Sequence, residues 1–159
     1  MAGRPLVKIR ASFAPSRIAS SGVSSDLATS GSDMLNLTTT AVREGDHYVI
    51  NGQKIWTSRA EHSDLMLLIA RTTRREDATK RTDGLSVFLV DLQLAQGTTI
   101  NINPIRTMMN HATTEVFFKD LRVPADNLIG EEGHGFRYIL SGLNAERILI
   151  AAECIGDAK

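Results

Sequence analysis

The hydrophobic positions of this chain change their period once. From residue 37 to about 121 they form short alternating or continuous runs, and from about His134 onward they recur three and four residues apart. The first pattern predicts β structure and the second a single long helix. Leu37 to Arg43 and His47 to Ile50 flank Glu44-Gly45-Asp46, which reads as a short hairpin loop. Asn51-Gly52 then separates Tyr48-Val49-Ile50 from Lys54-Ile55-Trp56. Asn-Gly tolerates the positive φ angles of a tight type I′ turn, so a second hairpin is expected there. Leu65 to Ala70 and Val87 to Val90 are apolar runs bounded by polar stretches, as in strands covered on both faces. Ile100 to Asn103 alternates, as does part of Thr114 to Asp120. About seven short strands with polar turns predict a barrel or sandwich.

Gly130-Glu131-Glu132-Gly133 ends the β region. At about 100° per residue, Phe136, Ile139, Leu140, Leu143, Ile150 and Cys154 share one stripe of the helix that follows. Ile148, Leu149, Ala151 and Ala152 fall elsewhere, so its middle is apolar nearly all round. Such a helix calls for neighbours on several sides, as in a bundle. No further helix is expected in this chain, so the bundle is expected to be incomplete. Residues 1–30 differ from the rest: Arg4, Lys8, Arg10 and Arg17 stand against the single acid Asp26 among many Ser and Ala. This stretch reads either as a mitochondrial transit peptide or as a disordered tail or aberrant start. The expected organisation is an atypical leader over 1–30, a β domain over 31–130 and the start of a helical domain over 131–159.

Composition narrows the function classes. A chain of 159 residues with 42% hydrophobic and 23% charged residues is of single-domain size and globular type. Eighteen basic residues balance eighteen acidic ones, leaving no global field for nucleic acid or an anionic membrane. Aromatics at 5% are too few for a series of base-stacking platforms. Cys154 is the only cysteine, so no internal disulfide forms. No apolar run reaches the roughly 20 residues that span a bilayer.

Few residues carry chemistry. Arg147 falls inside the helical stripe, where a buried guanidinium needs an anionic or carbonyl partner. It serves there either as half of a structural ion pair or as the anchor of a polar ligand. Glu146 lies at the stripe's edge, either solvated or set against apolar surface as a carboxylate base. Trp56 is the only tryptophan and is followed by Thr57 and Ser58. It is either core, or an indole face that stacks on a planar cofactor while adjacent hydroxyls and amides bind the cofactor's edge. Gly31-Ser32-Asp33 has the form of a turn. The glycines of Gly130 to Gly135 lack the spacing of a dinucleotide fingerprint. His47, His62, His111 and His134 have no ligand spacing with one another or with Cys154, so no metal site is expected.

Taken in order, several segments together resemble the acyl-CoA dehydrogenase family. They are Gly31-Ser32-Asp33, the stretch Gly45 to Ser58 with its Asn-Gly-Gln-Lys-Ile-Trp core, Phe117 to Gly130 with its Val-Pro and Asn-Leu-Ile-Gly, and Asn144-Ala145-Glu146-Arg147. The resemblance implies a mainly β fold, the family's middle β-barrel, followed by one long helix of an incomplete C-terminal bundle. It implies FAD as cofactor and an acyl-CoA thioester as substrate. A glutamate takes the α proton and the β hydrogen leaves as hydride to the flavin. Electron-transfer flavoprotein or a similar acceptor takes the electrons, and full-length members are usually homotetramers.

By position, the resemblance makes Gly31, Ser32, Trp56, Thr57 and Ser58 cofactor-binding, with Ser58 near the flavin's redox nitrogen. It makes Ser32, Asn144 and Arg147 substrate-binding, and Glu146, immediately before the arginine as in isovaleryl- and long-chain-type members, the base. The charged loop Arg71 to Asp83 is either solvated or close to the CoA phosphates. Against the family's pattern, Asp26 to Ser30 stand in place of its Thr-Glu-Pro stretch, and the helical domain forming one wall of the acyl pocket is expected to be missing. A fragment or truncated form with little or no activity alone is therefore expected, in the mitochondrial matrix if eukaryotic and otherwise cytoplasmic. The alternatives are a non-catalytic β-barrel binding module and a related flavoenzyme such as an acyl-CoA oxidase.

Overall fold

A computed structural model describes residues 18–19, 36–95, 97–108 and 112–158. Its strands are β1 (Ile18–Ala19), β2 (Thr40–Glu44), β3 (His47–Ser58), β4 (Leu65–Arg71), β5 (Leu85–Asp91), β6 (Ile100–Pro104), β7 (Thr113–Pro124) and β8 (Leu128–Ile129). A one-turn helix α1 (Leu92–Ala95) follows β5, and the long helix α2 (Gly135–Asp157) follows β8. The strands pair in the order β6-β7-β3-β2-β4-β5-β8, with β1 added in parallel to β4. The protein is therefore mainly β with one long C-terminal helix, as expected. Among the described residues the sheet is open rather than a closed barrel, because its path ends at β6 and β8. β8 is two residues long and β6 ends on Pro104, which has no N–H to donate, so neither edge offers a ladder long enough for closure. Of the segment set apart as a leader, Ile18 and Ala19 pair with Leu65 and Met66, and the rest lies outside the described residues.

The antiparallel β3–β7 ladder organises the sheet. Ile50 faces Leu121 and Gly52 faces Phe118, so β7 carries one residue more than β3 between these pairs. The surplus is a bulge at Lys119-Asp120, with Asp120 at φ 50. Asn51 holds it: its Nδ2 donates to Asp120 Oδ1 at 3.2 Å and its Oδ1 accepts from the Asp120 N–H at 2.8 Å. Asn51-Gly52 is therefore not a hairpin turn. β3 runs through it, because pairing with a strand 69 residues away outweighs the local turn preference. The hairpin between β2 and β3 is real, and its turn is Gly45-Asp46 with Gly45 at φ 65, the first position of a II′ turn. Gly52 meets a different need. A Cβ there would stand 2.6 Å from Thr39 Cα, so only glycine lets the chain before β2 cross so closely.

Tyr48, Ile50, Met66, Leu68, Phe88, Val90, Val116, Phe118, Leu121 and Val123 share one buried core. The inward positions of β7 change from even to odd numbers across the Asp120 bulge, which keeps both halves of the strand in this core. Full burial of each large side chain contributes about 2 kcal/mol. Tyr48 packs edge-on against Phe88, with ring centroids 4.9 Å apart, and donates its hydroxyl to Glu132 Oε2 at 2.6 Å. That bond ties the loop before α2 to the sheet. A smaller cluster of Leu37, Ile69 and Leu85 receives Phe136 and Ile139 from the first turns of α2. Beyond them the helix leaves the sheet, with Ile148, Leu149, Ile150 and Ile155 exposed.

Gly52→Ala should cost about 3 kcal/mol, from left-handed strain and the Thr39 clash together. Gly45→Ala, which has open space around it, should cost about 1 kcal/mol. Urea denaturation of both variants checks this, and equal costs would show that Thr39 simply gives way.

Burial, and after it the Glu132 hydrogen bond and charge, pushes the Tyr48 hydroxyl from 10.0 up to about 12. The folded state favours the neutral phenol, so this part of the stability is complete below pH 10 and is lost as pH rises through about 12. An ultraviolet titration should show one of the two tyrosines ionising near pH 12, a step absent from Tyr48→Phe. If Tyr48 of the folded protein ionises near pH 10, the buried Tyr48–Glu132 contact is not formed in solution.

Candidate functional site

A second bulge lies near the end of β3, this time on β3 itself. Lys54 faces Val116 and Thr57 faces Thr114, so three steps along β3 match two along β7. Trp56 takes up the extra residue at φ 61. Inward-facing positions change there from Lys54 to Thr57, both buried, and the indole is left 47% exposed. Trp56 is therefore a rim residue and not core. Arg59, one residue past the strand, is also left-handed at φ 62. Each such non-glycine residue costs about 1 kcal/mol or more and persists only where its surroundings enforce it. The enforcing contacts are specific. Arg59 N–H donates to Ala112 O at 2.7 Å, Ser63 Oγ donates to Arg59 O at 2.8 Å, and Thr114 Oγ1 donates to Thr57 O at 2.8 Å.

These contacts fix where Ser58 points. Ser58 stands opposite Thr113, and the N–H of the next residue bonds the carbonyl of Ala112. That is the pattern of a non-hydrogen-bonded antiparallel pair, so the Ser58 N–H is directed away from β7. On that side β2 pairs with β3 only from His47 to Asn51 and does not reach Ser58. The rim thus joins the indole face of Trp56 with the half-buried hydroxyl and the backbone N–H of Ser58, two residues further on. This set suits a flat heteroaromatic group gripped by face and edge.

The remaining expected residues are placed elsewhere. Gly31 and Ser32 lie outside the described residues. Asn144, Glu146 and Arg147 are exposed on α2, past the turns that touch the sheet. The expectation of a buried Arg147 is corrected. Its Nη1 donates to Asn144 Oδ1 at 3.3 Å, because this part of the helix has no neighbour among the described residues to desolvate it. Glu146 likewise stands in solvent rather than against apolar surface. The structure therefore brings together Trp56, Thr57 and Ser58 on β3 and, separately, Asn144 and Arg147 on α2, which meets the sheet at β5.

Arg71, read as part of a charged loop, is instead buried, with its guanidinium donating to the carbonyls of Leu37 and Asp83, each at 3.4 Å. Arg75 and Arg81 both donate to Asn36 Oδ1. Among the described residues no three His, Cys, Asp or Glu side chains gather as a metal site would require. Sequence reasoning passed over Thr114 and Arg59. For Thr114 the signal was present, a hydroxyl at an inward position of an alternating strand, whereas nothing in the sequence marked Arg59 as left-handed.

A mixed, mostly antiparallel sheet with an aromatic and hydroxyl rim defines a β domain, and comparison with known proteins specifies it. Residues 24–121 match the family model for the acyl-CoA dehydrogenase middle domain. The chain belongs to the acyl-CoA dehydrogenase family. It is 39% identical over 122 residues to acyl-CoA dehydrogenase FadE26 of Mycobacterium tuberculosis, covering 77% of this chain and 30% of that protein. It is 36% identical over 133 residues to the mitochondrial short/branched chain specific acyl-CoA dehydrogenase of Rattus norvegicus, covering 83% of this chain and 30% of that protein. The crystal structure of acyl-CoA dehydrogenase from Geobacillus kaustophilus superposes with a TM-score of 0.72 at 33% identity, covering 85% of this chain and 34% of the other. The chain thus spans about a third of the length of the relatives it matches. No helix among the described residues is long and apolar enough to cross a membrane.

Arg59→Asn should raise stability by about 0.5–1 kcal/mol, since asparagine tolerates left-handed backbone and the arginine side chain is exposed. Thermal melts check this. A loss of stability would show that the arginine side chain is worth more than the strain it maintains.

Proposed function

We propose that this chain is the middle-domain part, with the opening C-terminal helix, of an FAD-dependent enzyme that dehydrogenates acyl-CoA thioesters between their α and β carbons. The observation that carries the reading is the bulge that exposes Trp56 and turns Ser58's N–H away from the ladder, in a chain whose residues 24–121 match the family's middle domain. The rim fits a flavin: Trp56 stacks on the isoalloxazine face, and Ser58 bonds its edge through hydroxyl and N–H. Thr57, turned into the core, fixes their spacing. Gly31 and Ser32 complete the flavin and thioester contacts. FAD supplies a two-electron acceptor when bound. Glu146 takes the α proton, while Asn144 and Arg147 hold the acyl-CoA.

The exposed part of α2 supports a division of labour. Glu146 stands in solvent, whereas proton abstraction from carbon calls for a water-excluded site. Ile148, Leu149, Ile150 and Ile155 are apolar side chains that a helical bundle would cover. The chain alone therefore holds flavin with little or no turnover, and the complete enzyme works as a homotetramer that passes electrons to electron-transfer flavoprotein or a similar acceptor. Its location is the mitochondrial matrix in a eukaryote and the cytoplasm in a bacterium.

Equilibrium dialysis of the purified chain against FAD tests this. Saturable retention is expected, weakened at least tenfold by Trp56→Ala. A folded sample that retains no FAD would favour a β domain that binds something else, and acyl-CoA-dependent flavin bleaching at full rate by the chain alone would remove the need for the remaining parts.

A further inference from the structure

We propose that Thr114 is a positioning residue for the flavin edge, acting through the single peptide that links Thr57 to Ser58. The inference rests on the flavin reading above and concerns a residue that makes no contact with the cofactor itself. Thr114 is fully buried, and its hydroxyl donates to the Thr57 carbonyl at 2.8 Å. That carbonyl and the Ser58 N–H belong to one planar unit and point in opposite directions. Whatever holds the oxygen therefore aims the hydrogen. The pairing of Ser58 with Thr113 directs the backbone N–H of Thr114 at the same carbonyl. One bond would leave the peptide free to rock about it. The hydroxyl adds a second bond from another direction and fixes the plane.

The location gives this bond its significance. The Thr57–Ser58 peptide lies between left-handed Trp56 and left-handed Arg59, so strain on both sides favours its relaxation. A general structural role for Thr114 would lower stability uniformly. A positioning role loosens Ser58 and the rim specifically.

The test uses the whole chain in four variants: Thr114→Val, which keeps shape and loses the hydroxyl; Thr114→Ser, which keeps the hydroxyl; Thr114→Cys, a weak donor of similar size; and Val123→Ala, a core change at the far end of β7 that lowers stability without touching the rim. Amide hydrogen exchange in the absence of flavin should speed up at least tenfold at Arg59, whose N–H bonds the Ala112 carbonyl, in Thr114→Val, relative to Val123→Ala. Thr114→Ser should stay within twofold of the parent. FAD affinity, read from quenching of the only tryptophan, should fall at least fivefold in Thr114→Val and remain near the parent value in Thr114→Ser and Val123→Ala. If Thr114→Val does not fold, Thr114→Cys must show its pattern. Equal exchange in the valine and Val123→Ala proteins, or a serine variant as defective as the valine, overturns the proposal. Absence of FAD quenching in the parent chain would sink the flavin reading alone, and the exchange comparison would still decide the role of Thr114.

Discussion

The structure depends on one constraint: two long strands must stay paired and keep their apolar residues inward while their residue counts disagree twice. β7 has the surplus residue near Asp120 and β3 has it near Trp56. A slip of one residue in a half-buried strand would turn its whole apolar set outward, so the mismatch is confined to bulges. The surpluses lie on opposite strands and compensate: pairing resumes one residue out of step beyond the first, and the original register returns beyond the second. At Asp120 the mismatch is held by a reciprocal pair of bonds with Asn51. At Trp56 it is held by the Thr114 hydroxyl and the bond from Arg59 to Ala112. The first has a structural result only. The second turns an indole out of the core and a backbone N–H away from the sheet.

The legible and illegible parts of the sequence divide along the same line. Alternating and continuous apolar runs located β2, β4, β5 and β6 well, and the shift to helical spacing located α2 to within a residue or two. Asn51-Gly52 misled, because the dipeptide carries a local turn preference while its pairing partner lies 69 residues on, beyond the reach of any window. The same dipeptide is informative afterwards: asparagine supplies the two bonds that hold the bulge, and glycine admits Thr39. Trp56 followed by two hydroxyl residues suggested a cofactor edge. Nothing in that tripeptide revealed that the tryptophan would be left-handed, since the strain arises from a count mismatch with β7. Arg147 was read as buried on the assumption that an apolar stripe has neighbours along its whole length. In the structure that cover ends at Ile139.

The two halves of the proposed site differ in how far their geometry is fixed. The rim on β3 is built on paired backbone and backed by a closely packed core, so its groups are held before any ligand arrives. Among the described residues, the helix that carries Asn144, Glu146 and Arg147 is anchored through its first turns, and their positions relative to the rim depend on what covers the rest of it. Preorganised donors hold a cofactor without further assembly, whereas a general base requires both a fixed distance to its proton and dry surroundings. On the reading proposed above, flavin binding and turnover therefore separate at the boundary between sheet and helix. On that reading, changes near β3 and β7 alter flavin affinity in the isolated chain. Changes at Glu146 would register only where the helix is enclosed.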